Sequence, residues 1–500
     1  MALPELFQRR YEKPRIGVFG CGCHFYWQQF PGLRDKLLGY QQYFEERLNQ
    51  EGVDVVSGGL VDTSQLAVHT GDAFRRQGVQ FLICYMSTYA LSSTVLPIVQ
   101  RAGVPMVIVS LQPHKAMDYE HATTFMQLEH DNQTSLPEVC CALQRAGIET
   151  PGLVVGTLHD EHSWRRILGW CKVARAYAIL KNARIGIMGH VYEGMLDVNS
   201  DPTMFDAHFG MHCEHLELDD LQACVDAVTE AEVSRKLEQI RELFIFPEPG
   251  ADPIAGPAKP EDLAWAARVA CGLDRLVETF DLTGLAYYYR GLGGNANERL
   301  ASSLIVGASL LTGRGIPVAG ELDIKTCVAM LLLDRLEAGG SFAEIHPCDF
   351  ESDIVLVGHD GPHHVALAQN RPVLRGLSLY HGKRGSGISV EFQLKHGPVT
   401  CVGLTQTHDG RFKFVVAEGE SLPGPIPATG NTNTRCRFPL SVSRFIENWS
   451  LEGPTHHFAL GLGHVAHLVE DLSRCWGIEC VNVTAPGYRR AQPYGRHQRK

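Results

Sequence analysis

The sequence lacks a long apolar run. No stretch approaches the length of about 18 consecutive apolar residues that a helix needs to cross a membrane, so we expect no membrane partner. The first residues, MALPELFQRRYEKPR, carry charges but no apolar segment of the kind that a signal peptide contains. The 15 cysteines follow no regular spacing, which is typical of reduced thiols in a chain without an export signal. These features together predict a cytoplasmic protein.

Basic residues are also in the minority. The formal net charge is −11, whereas nucleic-acid phosphates require a basic surface, so we expect no nucleic-acid partner. The basic tail GYRRAQPYGRHQRK (487–500) is typical of a solvated terminus rather than of a phosphate-binding arm.

Common catalytic signatures are missing as well. The chain has no Gly-x-Ser-x-Gly elbow and no Walker loop, so nothing in it indicates a serine hydrolase or a phosphoryl-transfer enzyme. The segment GCGCHFYW (20–27) follows the first predicted strand but has no third glycine opening a helix, which argues against a dinucleotide site. Cys21 and Cys23 have no second cysteine pair at metal-ligand spacing, so we interpret them as structural thiols. The rings of His24 and Tyr26 suit contact with a sugar.

The 500 residues are too many for one hydrophobic core, and the composition, 44% hydrophobic and 20% charged, is that of a globular protein. We predict three domains. The first, residues 1–182, alternates apolar strands such as RIGVFG (15–20) and VQFLICYM (79–86) with amphipathic helices. The second, residues 183–339, restarts this pattern at ARIGIMGHV (183–191), with a predicted helix near 218–245 and a predicted strand at IPVAGEL (316–322). Such alternation predicts a parallel sheet covered by helices on both faces.

The third predicted domain, residues 340–500, has a different pattern. Short alternating strands such as SFAEI (341–345), DIVLVGH (353–359), ISVEFQLK (388–395) and FKFVVAEG (412–419) are separated by Gly, Pro and Asp turns. This pattern is typical of a mostly antiparallel sheet or barrel. The predicted fold class is α/β, with two Rossmann-like doubly wound parallel-sheet domains followed by a mostly antiparallel β-barrel-like domain.

Two carboxylates lie near the predicted boundary between the second and third domains. Glu321, in PVAGELDIKT (317–326), follows a predicted strand and precedes a helix, and Glu344, in GGSFAEI (339–345), opens the next domain. Either residue alone is often a surface or helix-capping acid. Their shared position at a domain junction, where clefts form, favours a functional role.

Two histidine clusters follow these acids. In IVLVGHDGPHH (354–364) a strand ends at His359, and the Gly-Pro break excludes the helical i,i+4 geometry of zinc proteases for His363. His363 and His364 are therefore interpreted as loop or supporting residues. The segment GPTHHF (453–458) offers His456 and His457. Mixed carboxylate and imidazole ligands suit Mn²⁺ or a similar ion better than a closed zinc site, which prefers thiolates.

The order of these motifs resembles the L-arabinose isomerase family and the wider group that includes the L-fucose isomerases. GELDIKT, SFAE, GHDG and THHF occur in the family's order, and VEFQLKHGPVT (390–400) is similar to the C-terminal domain of the fucose-isomerase-like members. The resemblance implies a Mn²⁺ or other divalent metal ion held by Glu321, Glu344, His359 and His457. It implies a sugar bound by His24, Phe25, Tyr26, Gln133 and His456.

The same resemblance implies an intramolecular oxidoreductase. An aldose–ketose isomerase works through a cis-enediol(ate), with Glu321 and Glu344 as the catalytic acids and bases. Asp323 and Lys325, two and four residues past Glu321, either orient these acids or are surface residues. The alternatives are a non-catalytic sugar-binding or regulatory homologue, or an epimerase or lyase that uses the same metal site.

The resemblance also has consequences for substrate and assembly. Cys23 stands where arabinose isomerases have a glutamine and Leu136 where they have a pocket histidine, so the small-molecule sugar substrate could be L-arabinose or an L-fucose-like, deoxy or 6-substituted aldose. A homo-oligomer, a trimer or a hexamer, is implied as well.

Overall fold

The computed structural model describes residues 5–8, 11–247, 255–290, 295–380 and 383–490. The chain forms two compact units. The first comprises residues 11–179 and 470–477, and the second comprises residues 180–469 with the described residues before 11 and after 477. In the described part of the chain, no helix combines the length and the apolar character needed to span a membrane.

The first unit contains a five-stranded parallel sheet in the order β2-β1-β3-β4-β5. Its strands are β1 (Arg15–Cys21), β2 (Asp54–Val61), β3 (Phe81–Met86), β4 (Met106–Gln112) and β5 (Gly152–Thr157). Every residue of β3 is buried, because both faces of the sheet are covered. The helices that follow these strands are α1 (Phe25–Gln29), α2 (Leu33–Gln50), α3 (Ser64–Arg76), α4 (Leu96–Ala102), α5 (Thr124–His130), α6 (Leu136–Arg145) and α7 (Glu161–Lys181).

The second unit begins with a four-stranded parallel sheet in the order β10-β9-β6-β7. Its strands are β6 (Arg184–Gly189), β7 (His212–Leu216), β9 (Gly284–Tyr288) and β10 (Val318–Ala319). Its helices are α8 (Pro202–Phe209), α9 (Leu218–Asp226), α10 (Glu230–Leu243), α11 (Pro260–Phe280), α12 (Ala296–Ala301), α13 (Leu304–Gly313) and α14 (Ile324–Arg335). All residues of α13 and α14 are buried. This is expected of α13, which has apolar or small residues on every side, whereas α14 also buries Lys325, Asp334 and Arg335.

A closed antiparallel barrel of six strands follows in the same unit, because the last strand of the ladder β15-β18-β11-β12-β17-β16 pairs back onto the first. These strands are β11 (Ser341–Ile345), β12 (Val355–His359), β15 (Gly397–Gln406), β16 (Phe412–Leu422), β17 (Thr432–Arg437) and β18 (Phe458–Leu462). The strand β19 (Glu479–Asn482) adds to β16 in parallel. The helix α15 (Val442–Glu452) belongs to this part, and α16 (Ala466–Cys475) begins in it but ends among residues 470–477 of the first unit.

A separate antiparallel sheet of three strands lies in the order β14-β13-β8. It consists of β8 (Ala255–Gly256), β13 (Val373–Tyr380) and β14 (Lys383–Glu391). Its buried residues Leu374, Ile388 and Val390 share one apolar core with the barrel.

The predicted fold class is confirmed: two parallel α/β sheets precede an antiparallel barrel. The division into three domains with boundaries at 182/183 and 339/340 stays a prediction. One predicted helix, 218–245, is wrong, since residues 227–229 separate α9 from α10 and Thr229 caps α10. The predicted strand IPVAGEL is paired only at Val318–Ala319. The segment ISVEFQLK contributes to the separate three-stranded sheet rather than to the barrel.

Candidate metal centre

The barrel ladder brings three of the predicted metal ligands to neighbouring strands. Strand β11 lies between β12 and β18. Glu344 of β11 pairs with Gly358 of β12, and His359 is the next and last residue of β12. His457 immediately precedes β18. The fourth ligand, Glu321, comes from the other sheet of the same unit, two residues after β10 ends. A Cβ on Gly358 would lie 2.1 Å from the carbonyl oxygen of Thr432, so glycine permits the close pairing that carries His359.

These side chains form one cluster. Nε2 of His457 lies 3.2 Å from Oε2 of Glu321, and Nε2 of His359 lies 4.0 Å from Oε1 of Glu344. The ring centroids of His359 and His457 are 5.1 Å apart, which joins the two pairs. Nε2 of His456 is 3.7 Å from Oε2 of Glu321. We call these five residues the metal-centre cluster.

Within this cluster, three residues are closest to a ligand geometry. The ligand atoms of Glu321, His456 and His457 all lie within 4.8 Å of one another. Sequence reasoning gave His456 to the sugar and counted Glu344 and His359 as ligands instead. The structure places all five side chains together, with Nε2 of His456 3.7 Å and Nε2 of His457 3.2 Å from Oε2 of Glu321.

The backbone at Glu321 has an unusual conformation. Glu321 and Leu322 both have a φ of 57°, in the left-handed region that non-glycine residues seldom adopt. The carbonyl oxygen of Glu321 accepts from the amide of Tyr192, and the amide of Leu322 donates to Tyr287. The turn directs the carboxylate of Glu321 toward His457 instead of continuing the strand.

Two neighbours fix the buried ring of His457. Its Nδ1 donates to Oδ2 of Asp323 over 3.1 Å, and Asp323 also caps α14 by accepting from the amide of Thr326. The ring of Phe342 lies 4.6 Å from that of His359 and 4.5 Å from that of His457, measured between centroids. A carboxylate bonded to one ring nitrogen directs the other nitrogen at the site, as in many metal centres.

Sequence reasoning missed His346. Its Nε2 is 3.3 Å from Oε1 of Glu344, and its Nδ1 lies 2.6 Å from Oδ1 of Asn433. The signal was present in the sequence, because residues two apart on a strand lie on the same face. Asp197 was missed as well, and its contact with His456 spans 259 residues, which no local pattern reveals.

The charges of the cluster are strongly interdependent. Burial would raise the pKa of Glu321, but the nearby imidazoles of His456 and His457 outweigh it and hold that pKa well below its usual range. Burial would lower the pKa of His457, but Asp323 and Glu321 outweigh it and raise that pKa to about 9. Burial, with a contribution from His457, lowers the pKa of His359 well below its usual range. An ionised Glu321 and a neutral His359 are the protonation states that a cation requires, whereas His457 must release its proton when a cation binds.

The cluster also fits a divalent ion because two of its buried polar atoms lack a well-aligned hydrogen bond. Oε2 of Glu321 and Nε2 of His457 are buried, and among the described residues neither has a hydrogen bond of good geometry. The two atoms face each other over 3.2 Å as an ion pair without a well-aligned hydrogen bond, so both are placed to contact one shared cation. Carboxylate oxygens and imidazole nitrogens, without thiolates, suit Mn²⁺ or a similar ion.

The predicted sugar contacts other than His456 lie in the first unit. His24, Phe25 and Tyr26 stand where β1 ends and α1 begins, and Phe25 is 59% exposed. Gln133 lies in the turn between α5 and α6, and Asp131 in that turn contributes to the raised pKa of Tyr26, for which burial is the larger cause. These four residues therefore occupy the carboxyl edge of a parallel sheet, where such sheets bind ligands.

The remaining predicted residues are structural in character. His363 is buried, with Nε2 2.8 Å from the carbonyl oxygen of His359 and Nδ1 3.2 Å from Oγ of Ser341. Cys21 lies 3.3 Å from Cys84, sulfur to sulfur, inside the sheet of the first unit. All 15 cysteines are free thiols.

Comparison with known proteins gives a consistent result. Residues 339–479 match the model of the L-arabinose isomerase C-terminal domain. The L-arabinose isomerase of a Nocardioides species is 24% identical over 435 residues, which cover 85% of this chain and 84% of that protein. This chain resembles the L-arabinose isomerases. The resemblance that its motifs predict is confirmed.

Other L-arabinose isomerases show the same extent of similarity. L-arabinose isomerase 1 of Bacillus licheniformis is 23% identical over 420 residues, 82% of each chain, and that of Aeromonas salmonicida is 24% identical over 422 residues, 80% of each. A periplasmic solute-binding protein of Actinobacillus succinogenes with bound D-allose aligns with 62% of this chain at 13% identity and a TM-score of 0.17, too low to carry a structural argument.

Proposed function

We propose that this protein is a divalent-metal-dependent aldose–ketose isomerase. The likeness to L-arabinose isomerases supports this class of reaction. The observation that carries the proposal is the convergence of the buried Glu321 Oε2 and His457 Nε2, 3.2 Å apart and without a well-aligned hydrogen bond, beside His359 and Glu344. In the proposal Glu321, Glu344, His359 and His457 hold Mn²⁺ or another divalent ion.

The reaction moves one hydrogen from C2 to C1 of the sugar and one from O2 to O1, so it needs no external oxidant. A bound divalent cation supplies positive charge that stabilises the developing cis-enediolate. In the proposal, Glu321 and Glu344 divide the proton transfers between them, one acting at the carbons and the other at the hydroxyl oxygens. His456, which is 34% exposed beside Glu321, contacts a sugar oxygen.

We extend the proposal to substrate and assembly. The sugar is an aldose that contacts His24, Phe25, Tyr26 and Gln133, in a homo-oligomer of three or six chains. Cys23 and Leu136 are both buried at that edge of the first unit, and neither offers a strong hydrogen-bond donor or acceptor. These two residues support, as an alternative to L-arabinose, an aldose with an apolar or substituted end, such as an L-fucose-like, deoxy or 6-substituted sugar. The 15 free thiols support a cytoplasmic location.

The first test replaces each glutamate by its neutral isostere. We expect Glu321→Gln and Glu344→Gln to lower ketose formation from a panel of aldoses with Mn²⁺ by about 10²–10⁴-fold, because a positioned proton carrier is lost. Circular dichroism of the metal-free variants should show an unchanged helix content. Glu447→Gln on α15, an exposed carboxylate paired with Arg444, serves as the matched control and should remain fully active.

The outcomes separate the functions. Retained activity in both variants would contradict the assignment of the two glutamates. A protein that binds sugars but forms no ketose, with or without EDTA, would be a non-catalytic homologue. Formation of an epimer rather than a ketose would identify an epimerase.

A further inference from the structure

Asp197 lies far from the metal-centre cluster in sequence but contacts it directly. It belongs to the segment between β6 and α8, and its Oδ2 accepts two hydrogen bonds from His456. The backbone amide of His456 donates over 2.9 Å, and the ring Nδ1 donates over 2.6 Å. One carboxylate oxygen therefore fixes both the backbone and the ring of the same histidine.

This contact decides which ring nitrogen of His456 is available. Because Nδ1 is bonded to Asp197, Nε2 is the nitrogen that faces Oε2 of Glu321, 3.7 Å away. That separation is too long for a direct hydrogen bond and leaves room for an oxygen of a bound molecule to contact both groups. A histidine held at one nitrogen by a carboxylate has a fixed ring orientation and a fixed tautomer.

The loop that carries Asp197 is itself held by a buried cation. Nζ of Lys325 donates to the carbonyl oxygen of Asn199 and to Oγ of Ser200, both over 2.8 Å. Lys325 is only 1% exposed, and such burial of a lysine is uncommon without partners of this kind. The side-chain Nδ2 of Asn199 closes the loop by donating to the carbonyl oxygens of Met195 and Leu196.

Both adjacent histidines are thus oriented from the first turn of α14. Asp323, the N-cap of α14, holds His457 directly. Lys325, two residues later, holds His456 indirectly through the loop and Asp197. The two histidines differ in exposure, because His457 is completely buried whereas His456 is about one-third exposed.

We propose that Asp197 is a positioning residue that presents Nε2 of His456 to a sugar oxygen beside Glu321, and that Lys325 holds Asp197 in place for this purpose. The inference rests on the proposed isomerase function for its chemistry. It assigns different tasks to the two carboxylates that hold the histidines: Asp323 orients His457 toward the metal ion, and Asp197 orients His456 toward the sugar.

The test compares Asp197→Ala with Asp323→Asn. We expect Asp197→Ala to lower kcat/KM for the aldose about 10–100-fold, with a raised KM, as for other residues that orient a functional histidine. The affinity of the metal-free protein for Mn²⁺, measured by calorimetry without sugar, should not change. Asp323→Asn should instead weaken Mn²⁺ binding. Weakened Mn²⁺ binding in Asp197→Ala as well would overturn the division of tasks.

A second measurement does not depend on activity. Diethyl pyrocarbonate acylates free imidazole nitrogens, and peptide mass spectrometry locates the label. In the metal-free protein we expect labelling of His456 to increase several-fold in Asp197→Ala, because the ring is no longer held by a carboxylate and both of its nitrogens become accessible. His212, which is 57% exposed on β7, provides the internal reference. Unchanged labelling of His456 would show that Asp197 does not fix the ring and would overturn the proposal.

The role of Lys325 is tested by coupling. Lys325→Met should lower kcat/KM and raise His456 labelling, and the double variant with Asp197→Ala should be no worse than the more impaired single variant. Losses of kcat/KM that add in the double variant would show that Lys325 does not act through Asp197. Because Lys325→Met could fail to fold, Ser200→Ala provides a milder variant that removes one of the two acceptors.

If the wild-type protein isomerises no aldose, the proposed function fails, while the labelling still decides whether Asp197 positions His456.

Discussion

At the scale of single residues, the strained turn at Glu321 and Leu322 carries one member of the metal-centre cluster, Glu321. A left-handed conformation costs a non-glycine residue about 1–2 kcal/mol, and two such residues stand in succession here. Glycine would avoid the cost but would supply no carboxylate. Strained backbone of this kind concentrates at functional sites, where the surrounding structure maintains it.

The cap residue Asp323 provides a prediction at the same scale. We expect Asp323→Asn to weaken the apparent affinity for Mn²⁺ about 10–100-fold, because the amide binds His457 less firmly than the carboxylate does. Asparagine caps helices as well as aspartate does, so α14 should remain intact. Calorimetric titration of the metal-free protein measures the affinity, and circular dichroism checks the helix content. Wild-type affinity in this variant would show that Asp323 does not support the metal site.

At the scale of elements, the β13–β14 hairpin depends on a buried ion pair. Arg375 binds both carboxylate oxygens of Glu391, over 2.9 and 3.1 Å, and Glu391 also accepts from the amide of Gly430. Both side chains are at most 10% exposed. The hairpin is therefore joined to the barrel loop at Gly430 by a charge that has little contact with solvent.

We expect Glu391→Gln to destabilise the protein by about 3–5 kcal/mol, since it leaves the guanidinium of Arg375 buried without its counter-charge. Urea unfolding followed by fluorescence measures the change. The matched control is Asp409→Asn, which removes the partner of Arg411 in a pair whose side chains are 76% and 39% exposed. That pair should contribute no more than about 1 kcal/mol. Equal effects of the two substitutions would refute the importance of burial.

Helices α2 and α5 are joined by Glu129, which predicts a dependence on pH. Burial raises the pKa of Glu129, but Lys36 at 2.7 Å and the hydroxyl of Tyr40 at 2.5 Å outweigh it and lower the pKa below 4.5. The folded state therefore binds fewer protons than the unfolded state near this pH. The stabilisation is complete above about pH 4.5 and decreases as the pH falls through the lowered pKa.

Glu129→Gln should consequently lower the midpoint of thermal unfolding at pH 7, where the carboxylate contributes about 2 kcal/mol, and the deficit should shrink toward pH 3. Glu149→Gln, at an exposed position of the same unit, is the control and should show no deficit at either pH. A deficit that is the same at both pH values would mean that the charge of Glu129 is not what joins the helices.

At the scale of the whole molecule, the proposed metal ion links two elements of the second unit that are far apart in sequence. Glu321 follows the parallel sheet, whereas Glu344, His359 and His457 belong to the barrel. An ion bound by both should stabilise the folded state in proportion to its occupancy. A free Mn²⁺ concentration 100 times the dissociation constant raises the free energy of unfolding by about 2.7 kcal/mol.

We therefore expect Mn²⁺ to raise the melting temperature of the EDTA-treated protein by several degrees. Differential scanning calorimetry over a range of Mn²⁺ concentrations measures the shift. Glu321→Gln should abolish most of it, and Glu447→Gln should not. A melting temperature that does not respond to Mn²⁺ would argue against a metal ion at this position.

The sequence alone predicted the larger features because they depend on local periodicity. Apolar strands alternating with amphipathic helices indicated the parallel sheets, and short alternating strands with turns indicated the barrel. The end of strand β12 at His359 was predicted from the Gly-Pro break that follows it. The failures were also local in origin: the capping residue Thr229, which splits the predicted helix 218–245, outweighed a continuous amphipathic pattern.

The sequence by itself determined the fold class, the resemblance to L-arabinose isomerases and the candidate residues Glu321, Glu344, His359 and His457. Only the tertiary structure decided how they meet, because Glu321 turns out of its strand in a left-handed conformation that no propensity indicates. It alone brought Asp197 to His456 and Lys325 to the loop between them. The physical reason is that hydrogen bonds between residues more than 100 positions apart depend on how sheets and barrel pack, whereas sequence patterns report only neighbours along the chain.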